Sequence, residues 1–162
     1  MEHEVKIRGL MMDPVTNMPV VVLKETQGSG ILPIWVGVYE ANAIALEIEK
    51  VQTPRPMTHD LLKNVITGLD VRVQKVVVSD LKDDTFYALI WMERDGQLIS
   101  MDSRPSDALA LALRLDCPIF VEDQVLKNSK IGAGVISEKS SNEELRKWLE
   151  GLNDEDLGRY KM

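Results

Sequence analysis

Residues 106–128 read SDALALALRLDCPIFVEDQVLKN, and two pieces of that stretch occur earlier in the chain. DALAL at 107–111 echoes NAIAL at 42–46, an offset of 65. DQVLKN at 123–128 echoes HDLLKN at 59–64, an offset of 64. Two echoes in the same order at nearly the same offset point to an internal repeat. The flanking residues carry the pattern outward. Residues 4–12 alternate loosely and run into the turn DPVTNMP at 13–19. VVVL at 20–23 is β-branched and reads as a buried strand, and QGSG at 27–30 as a hairpin loop. ILPIWVG at 31–37 is a third strand, with Pro33 placing it at an edge or at its start. The period then changes: Ala41, Ile44, Ala45 and Ile48 share one face of a helix. Pro54 and Pro56 end that helix, and Thr58 is placed to cap a second one with Asp60 in its first turn.

The second half repeats the scheme. Residues 71–80 read as a strand, Asp83-Asp84 as a turn, and TFYALIWME at 85–93 as a strand apolar on both faces, hence central to its sheet. Residues 94–96 turn into a strand over 97–102. Pro105 suits a first helical turn, and 107–115 is an almost wholly apolar helix that should be buried. CPIFV at 117–121 is a short strand before a last helix. Each half therefore reads three strands then two helices. The expected fold is α+β: one domain over 1–136, built from two β3-α2 repeats on a mixed or antiparallel sheet. Alanines at 41, 43, 45 and at 108, 110, 112 let these helices lie close to their neighbours. Residues 137–162 are densely charged. Ser141 and Glu144 form a capping box ahead of a short helix expected to dock Leu145, Trp148 and Leu149.

At 162 residues the chain can bury a real core without staples. One cysteine, Cys117, cannot form an internal disulfide, and the N-terminus lacks a signal-peptide pattern, so a cytoplasmic protein is expected. No apolar run is long enough to span a membrane, so no membrane partner is expected. The net charge of −7 gives no global pull toward nucleic acid, which would need a local basic patch.

The chain has no P-loop, no G-x-G-x-x-G, no G-x-S-x-G and no zinc-type Cys/His spacing. Two polar groups of residues remain, at equivalent places in the repeat. One is Glu40 with Arg55, His59 and Asp60; the other is Asp102, Arg104, Ser106 and Asp107. Carboxylates with a histidine and arginines suit phosphodiester hydrolysis: carboxylates hold Mg²⁺ or Mn²⁺, a base activates water, and arginine offsets charge on phosphate. The structural alternative is equally concrete. Ser103 or Ser106 would cap a helix, Asp107 would face its dipole, and Arg55 and Arg104 would pair with carboxylates of the other half.

LPIWVGVYEANAIALEIE, PRPMTHDLLKNVI and SRPSDALALALRLDCPIFVEDQVL, in this order, resemble the bifunctional nuclease domain family, over roughly residues 5–130. Met57 stands where the family usually has leucine, a volume-conserving exchange. The resemblance implies a small α+β domain, often oligomeric, with a homodimer favoured, and in plant relatives DNase and RNase activity without sequence preference. It carries over the motif positions Glu40, Arg55, Thr58, His59, Asp60, Asp102, Arg104, Ser106 and Asp107 without fixed roles. On the nuclease reading, Glu40, Asp102 and Asp107 are candidate ligands for a divalent metal, His59 or Asp60 the base, and Arg55 and Arg104 the phosphate contacts. On the other reading the chain is a non-catalytic oligomeric binding or regulatory module, and the same residues brace its halves.

Overall fold

A computed structural model describes residues 1–135. The tail expected over 137–162, with its capping box and docking helix, lies outside them. In chain order the elements are β1 (Glu2–Met12), β2 (Pro19–Glu25), β3 (Ile31–Trp35), α1 (Val38–Ile48), α2 (Thr58–Gly68), β4 (Arg72–Lys82), β5 (Thr85–Arg94), β6 (Gln97–Ser103), α3 (Pro105–Leu115), β7 (Ile119–Glu122) and α4 (Asp123–Val135). The seven strands form one sheet in the order β3-β2-β1-β7-β4-β5-β6. The chain is thus α+β, with a mixed sheet made from two antiparallel meanders.

The short strand β7 joins the meanders. It runs antiparallel to β1, with Val5 opposite Ile119, and parallel to β4, with Val76 opposite Ile119. β7 therefore holds the central place that the sequence assigned to 85–93. β5 is second from an edge, and only Ala88, Ile90 and Met92 are buried on it. Leu89 and Trp91, on its other face, are half-buried. Alternation of large apolar residues looks the same whether both faces are covered or one is merely shaded by its neighbours.

Tight turns fix the registers. Asp83 and Asp84 both take positive φ, at 49° and 61°, and so do Asp95 at 50° and Gly96 at 78°, which is the primed geometry that two-residue hairpins need. Pro33 sits inside β3, an edge strand, where its missing N–H costs the ladder least. In β1 the register slips between Ile7 and Gly9, so Arg8 is a bulge residue.

Helices α1, α3 and α4 cover one face of the sheet. Ala41, Ile44 and Ala45 of α1, Ala108 through Ala112 of α3, and Val125 and Leu126 of α4 close over Val5, Val21, Leu23, Leu32, Val76, Val78, Ile90 and Val121. The small side chains of α1 and α3 let the two helices pack directly on each other. The opposite face has a smaller apolar cluster of Met11, Val20 and Val22, flanked by Ile31 and Trp35. The outlier is α2, which packs on α3 but has no buried residue.

Candidate functional site

The site forms where the first turns of α1, α2 and α3 meet, each with one carboxylate: Glu40, Asp60 and Asp107. Acidic residues are favoured there because unpaired helical N–H groups leave the N-terminus positive. A Cβ at Gly37, the residue before α1, would collide with the Glu40 carboxylate, so glycine leaves room for that side chain to fold back. Pro105 occupies the first turn of α3, as its fixed φ favours, and Arg104 precedes it with extended backbone. α2 begins one residue earlier than expected: Met57 is the N-cap and Thr58, the expected cap, is the first helical residue. The Asp60 carboxylate accepts the Met57 N–H at 2.9 Å and so closes that end.

Four of the candidate residues join in one chain of charge-assisted bonds. His59 Nε2 lies 2.9 Å from Asp107 Oδ1. Arg104 Nε donates to Asp107 Oδ2 at 2.8 Å, and Arg104 Nη1 donates to Glu40 Oε1 at 2.9 Å. Burial alone would raise the Asp107 pKa, but the bonds from Arg104 and His59 outweigh it and hold the carboxyl below the usual range. Asp107 and Glu40 in turn raise Arg104 further. An ionised Asp107 only accepts, so its partner His59 Nε2 carries the proton, and Nδ1 is left as the basic nitrogen. The Arg104 side chain remains 64% exposed despite its two carboxylate bonds, so the rest of the guanidinium faces solvent.

The other candidates lie apart from this chain. Asp60 turns inward: its Oδ1 accepts from Arg114 Nε at 2.8 Å. Arg55 is exposed between α1 and α2; its backbone carbonyl accepts the Thr53 hydroxyl, and among the described residues its guanidinium makes no ion pair. Asp102 is exposed on β6 opposite Leu89, the face of β5 turned away from the helices. Ser106 is buried in α3. Among the described residues no three of His, Cys, Asp or Glu gather as a metal would need. The Arg104 guanidinium already lies between Glu40 and Asp107, where a divalent cation bridging them would sit. As arranged, these residues do not fit that ion.

One residue that holds the three helices of the candidate site together was absent from the candidates. Arg114, in the last turn of α3, has a side chain only 3% exposed. Besides Asp60 it donates to the carbonyls of Ala110 and Ala43, each at 2.9 Å. It thereby ties α1, α2 and α3 together beneath the site. The signal was present: a lone cation in a helix expected to be buried must be paired.

The family model of the bifunctional nuclease domain matches residues 21–133. An uncharacterized protein of Mycobacterium tuberculosis H37Rv is 42% identical over 141 residues, covering 87% of this chain and 82% of that protein. Bifunctional nuclease 1 of Arabidopsis thaliana is 30% identical over 107 residues, covering 64% of this chain and 33% of that protein. Bifunctional nuclease 1 of Oryza sativa subsp. japonica is 27% identical over 113 residues, covering 67% and 34%. The match spans about a third of these plant relatives.

Proposed function

This chain belongs to the bifunctional nuclease domain family, and on that premise we propose that it hydrolyses phosphodiester bonds of DNA and RNA with little sequence preference. The observation that carries the reading is the bonded series His59–Asp107–Arg104–Glu40 at three converging helix N-termini. His59 Nδ1 takes a proton from water as the water oxygen bonds to phosphorus. The ester P–O bond breaks, and the imidazolium returns the proton to the leaving oxygen. Asp107 holds the imidazole in the required tautomer, and the exposed part of Arg104 meets the charge gathering on the phosphoryl oxygens. No base-reading element is invoked, consistent with low sequence preference.

The test is nuclease activity of highly purified protein on single-stranded RNA and DNA, with and without EDTA, beside His59→Gln. The variant is expected to lose activity about 10²–10⁴-fold while its melting temperature holds. Equal residual activity in both proteins would show a contaminant and sink the reading. Loss of activity in EDTA would bring a divalent metal, Mg²⁺ or Mn²⁺, back into the mechanism.

A second reading, an oligomeric regulatory module, is favoured by α2. Leu61, Leu62 and Val65 on it and Leu69 at its C-cap are 39–56% exposed. A helix of 11 residues with nothing buried is at the limit of stability alone. That uncharged face suits a second copy of a chain carrying net charge −7. Sedimentation should then show a homodimer that Val65→Asp dissociates; a wild-type monomer at all concentrations would dismiss this reading. Among the described residues no helix is long and apolar enough to cross a membrane. We place the protein in a reducing, cytoplasmic compartment from its single cysteine; burial raises the Cys117 thiol to about 11, which leaves it inert.

A further inference from the structure

The sheet face opposite the helices carries a feature that the nuclease reading does not use. Lys6 of β1 and Lys24 of β2 stand directly opposite each other in the ladder. Their ladder neighbours, Val5 on one strand and Leu23 on the other, point into the helix-side core, so both lysines point the other way. Like charges directly opposite across a strand pair destabilise the pairing. Among the described residues neither lysine is paired with a carboxylate. Together with Arg8, Glu25, Thr26 and Gly28 they line an open depression of about 320 Å³. Glu25, the one carboxylate in that lining, is spent elsewhere: Oε2 accepts the Gly30 N–H at 2.7 Å, and Oε1 lies 3.0 Å from His3 Nδ1. The two lysines thus line one concavity of a chain whose net charge is −7. Nothing in the ladder requires this arrangement, since Gln or Thr at either position would keep the register without the repulsion.

We propose that the depression between β1, β2 and the loop after β2 is a phosphate-binding site, which takes the phosphate of a nucleic-acid strand or of a free nucleotide. Two ammonium groups side by side neutralise one or two phosphate charges, and their mutual repulsion turns into attraction for the shared anion. The site is built from elements other than those holding His59 and Asp107, and on the other face of the sheet. It holds ligand without cleaving it and stands whether or not the chain is a nuclease.

The experiment measures binding of a short single-stranded oligonucleotide and, separately, of AMP to the full chain, with EDTA present and at several salt concentrations. Wild type is compared with Lys6→Gln/Lys24→Gln and with a control, Lys50→Gln/Lys82→Gln, which removes the same charge from exposed positions elsewhere. The double lysine variant should bind roughly tenfold more weakly, and its slope of log K against log salt should flatten by about 1.4, the counterions released by two contacts to a single strand. The control variant should bind like wild type. A loss confined to the oligonucleotide arm identifies a strand as the ligand, and an equal loss for AMP identifies a free nucleotide. The melting temperature of the lysine variant should hold or rise, because a repulsive pair has gone. Equal binding by wild type and the lysine variant in both arms, or no binding of either ligand by wild type, would overturn the proposal.

Discussion

Replacing Arg114 by Met should cost about 3 kcal/mol of stability, a fall of roughly 10 °C in melting temperature for a domain of this size. The side chain is 3% exposed and meets three acceptors at once: the Asp60 carboxylate and the carbonyls of Ala110 and Ala43. Methionine fills most of the volume but takes the Arg114 donors from two helical carbonyls and from Oδ1 of a partly buried carboxylate, whose other oxygen keeps the Met57 N–H; each lost bond costs about 1–3 kcal/mol before relaxation and water entry. The Asp60 side chain is a third exposed, so water recovers part of that loss. Arg114→Lys should recover little, because one ammonium cannot span three acceptors set around a planar fork. Urea unfolding followed by circular dichroism measures the change. A loss below about 1 kcal/mol would mean that α1 and α3 hold their places by apolar packing alone.

Asp107→Asn is expected to cut nuclease turnover about 10³-fold and to leave stability within about 1 kcal/mol of wild type. The substitution preserves shape but changes what the position offers. An amide presents both a donor and an acceptor, so it no longer dictates which His59 nitrogen carries the proton. It also removes the charge that balances Arg104, which Glu40 alone then holds. Turnover measured together with the melting temperature separates the two readings. If stability collapses while specific activity of the folded fraction persists, Asp107 is a brace and the oligomeric module gains ground.

These two arginine-centred sites differ in how visible they are in the chain. Arg104 and Asp107 sit three apart in DSRPSD, beside a proline that announces a helix start, and local spacing suffices to find them. That Asp107 reaches His59 and Arg104 reaches Glu40 depends on how α1 and α2 lie against α3, which no local pattern encodes. Asp102 illustrates the reverse. Its place in DSRPSD put it with the others, yet one step along a strand swaps faces, and its register opposite Leu89 carries it away from them. Asp60 looked like a candidate base because it adjoins His59. Its geometry gives it an end-capping bond and Arg114 instead, and the bond from the Met57 N–H, aided by Arg114 against burial, holds its carboxyl low.

Among the fold elements, the paired small-residue helices were legible because alanine periodicity and burial go together. Strand order was not. Four residues, Ile119–Glu122, decide the middle of the sheet, and a segment so short carries no sign of which neighbours it will choose. Likewise only packing shows that Leu61, Leu62 and Val65 of α2 stay exposed.

β7 has a consequence for biosynthesis. It bridges residues 2–5 to residues 76–78, yet it is made near the end of the domain. While the chain emerges from the ribosome, each meander can hydrogen-bond within itself, but the two have no shared ladder until Glu122 is free. Until then β1 and β4 each present an open edge, and a crowded translating cell offers those edges other strands. Closure of the sheet is therefore a late, long-range event with a large loop-closure cost, and the growing chain is most exposed to aggregation in the interval before its last strand arrives.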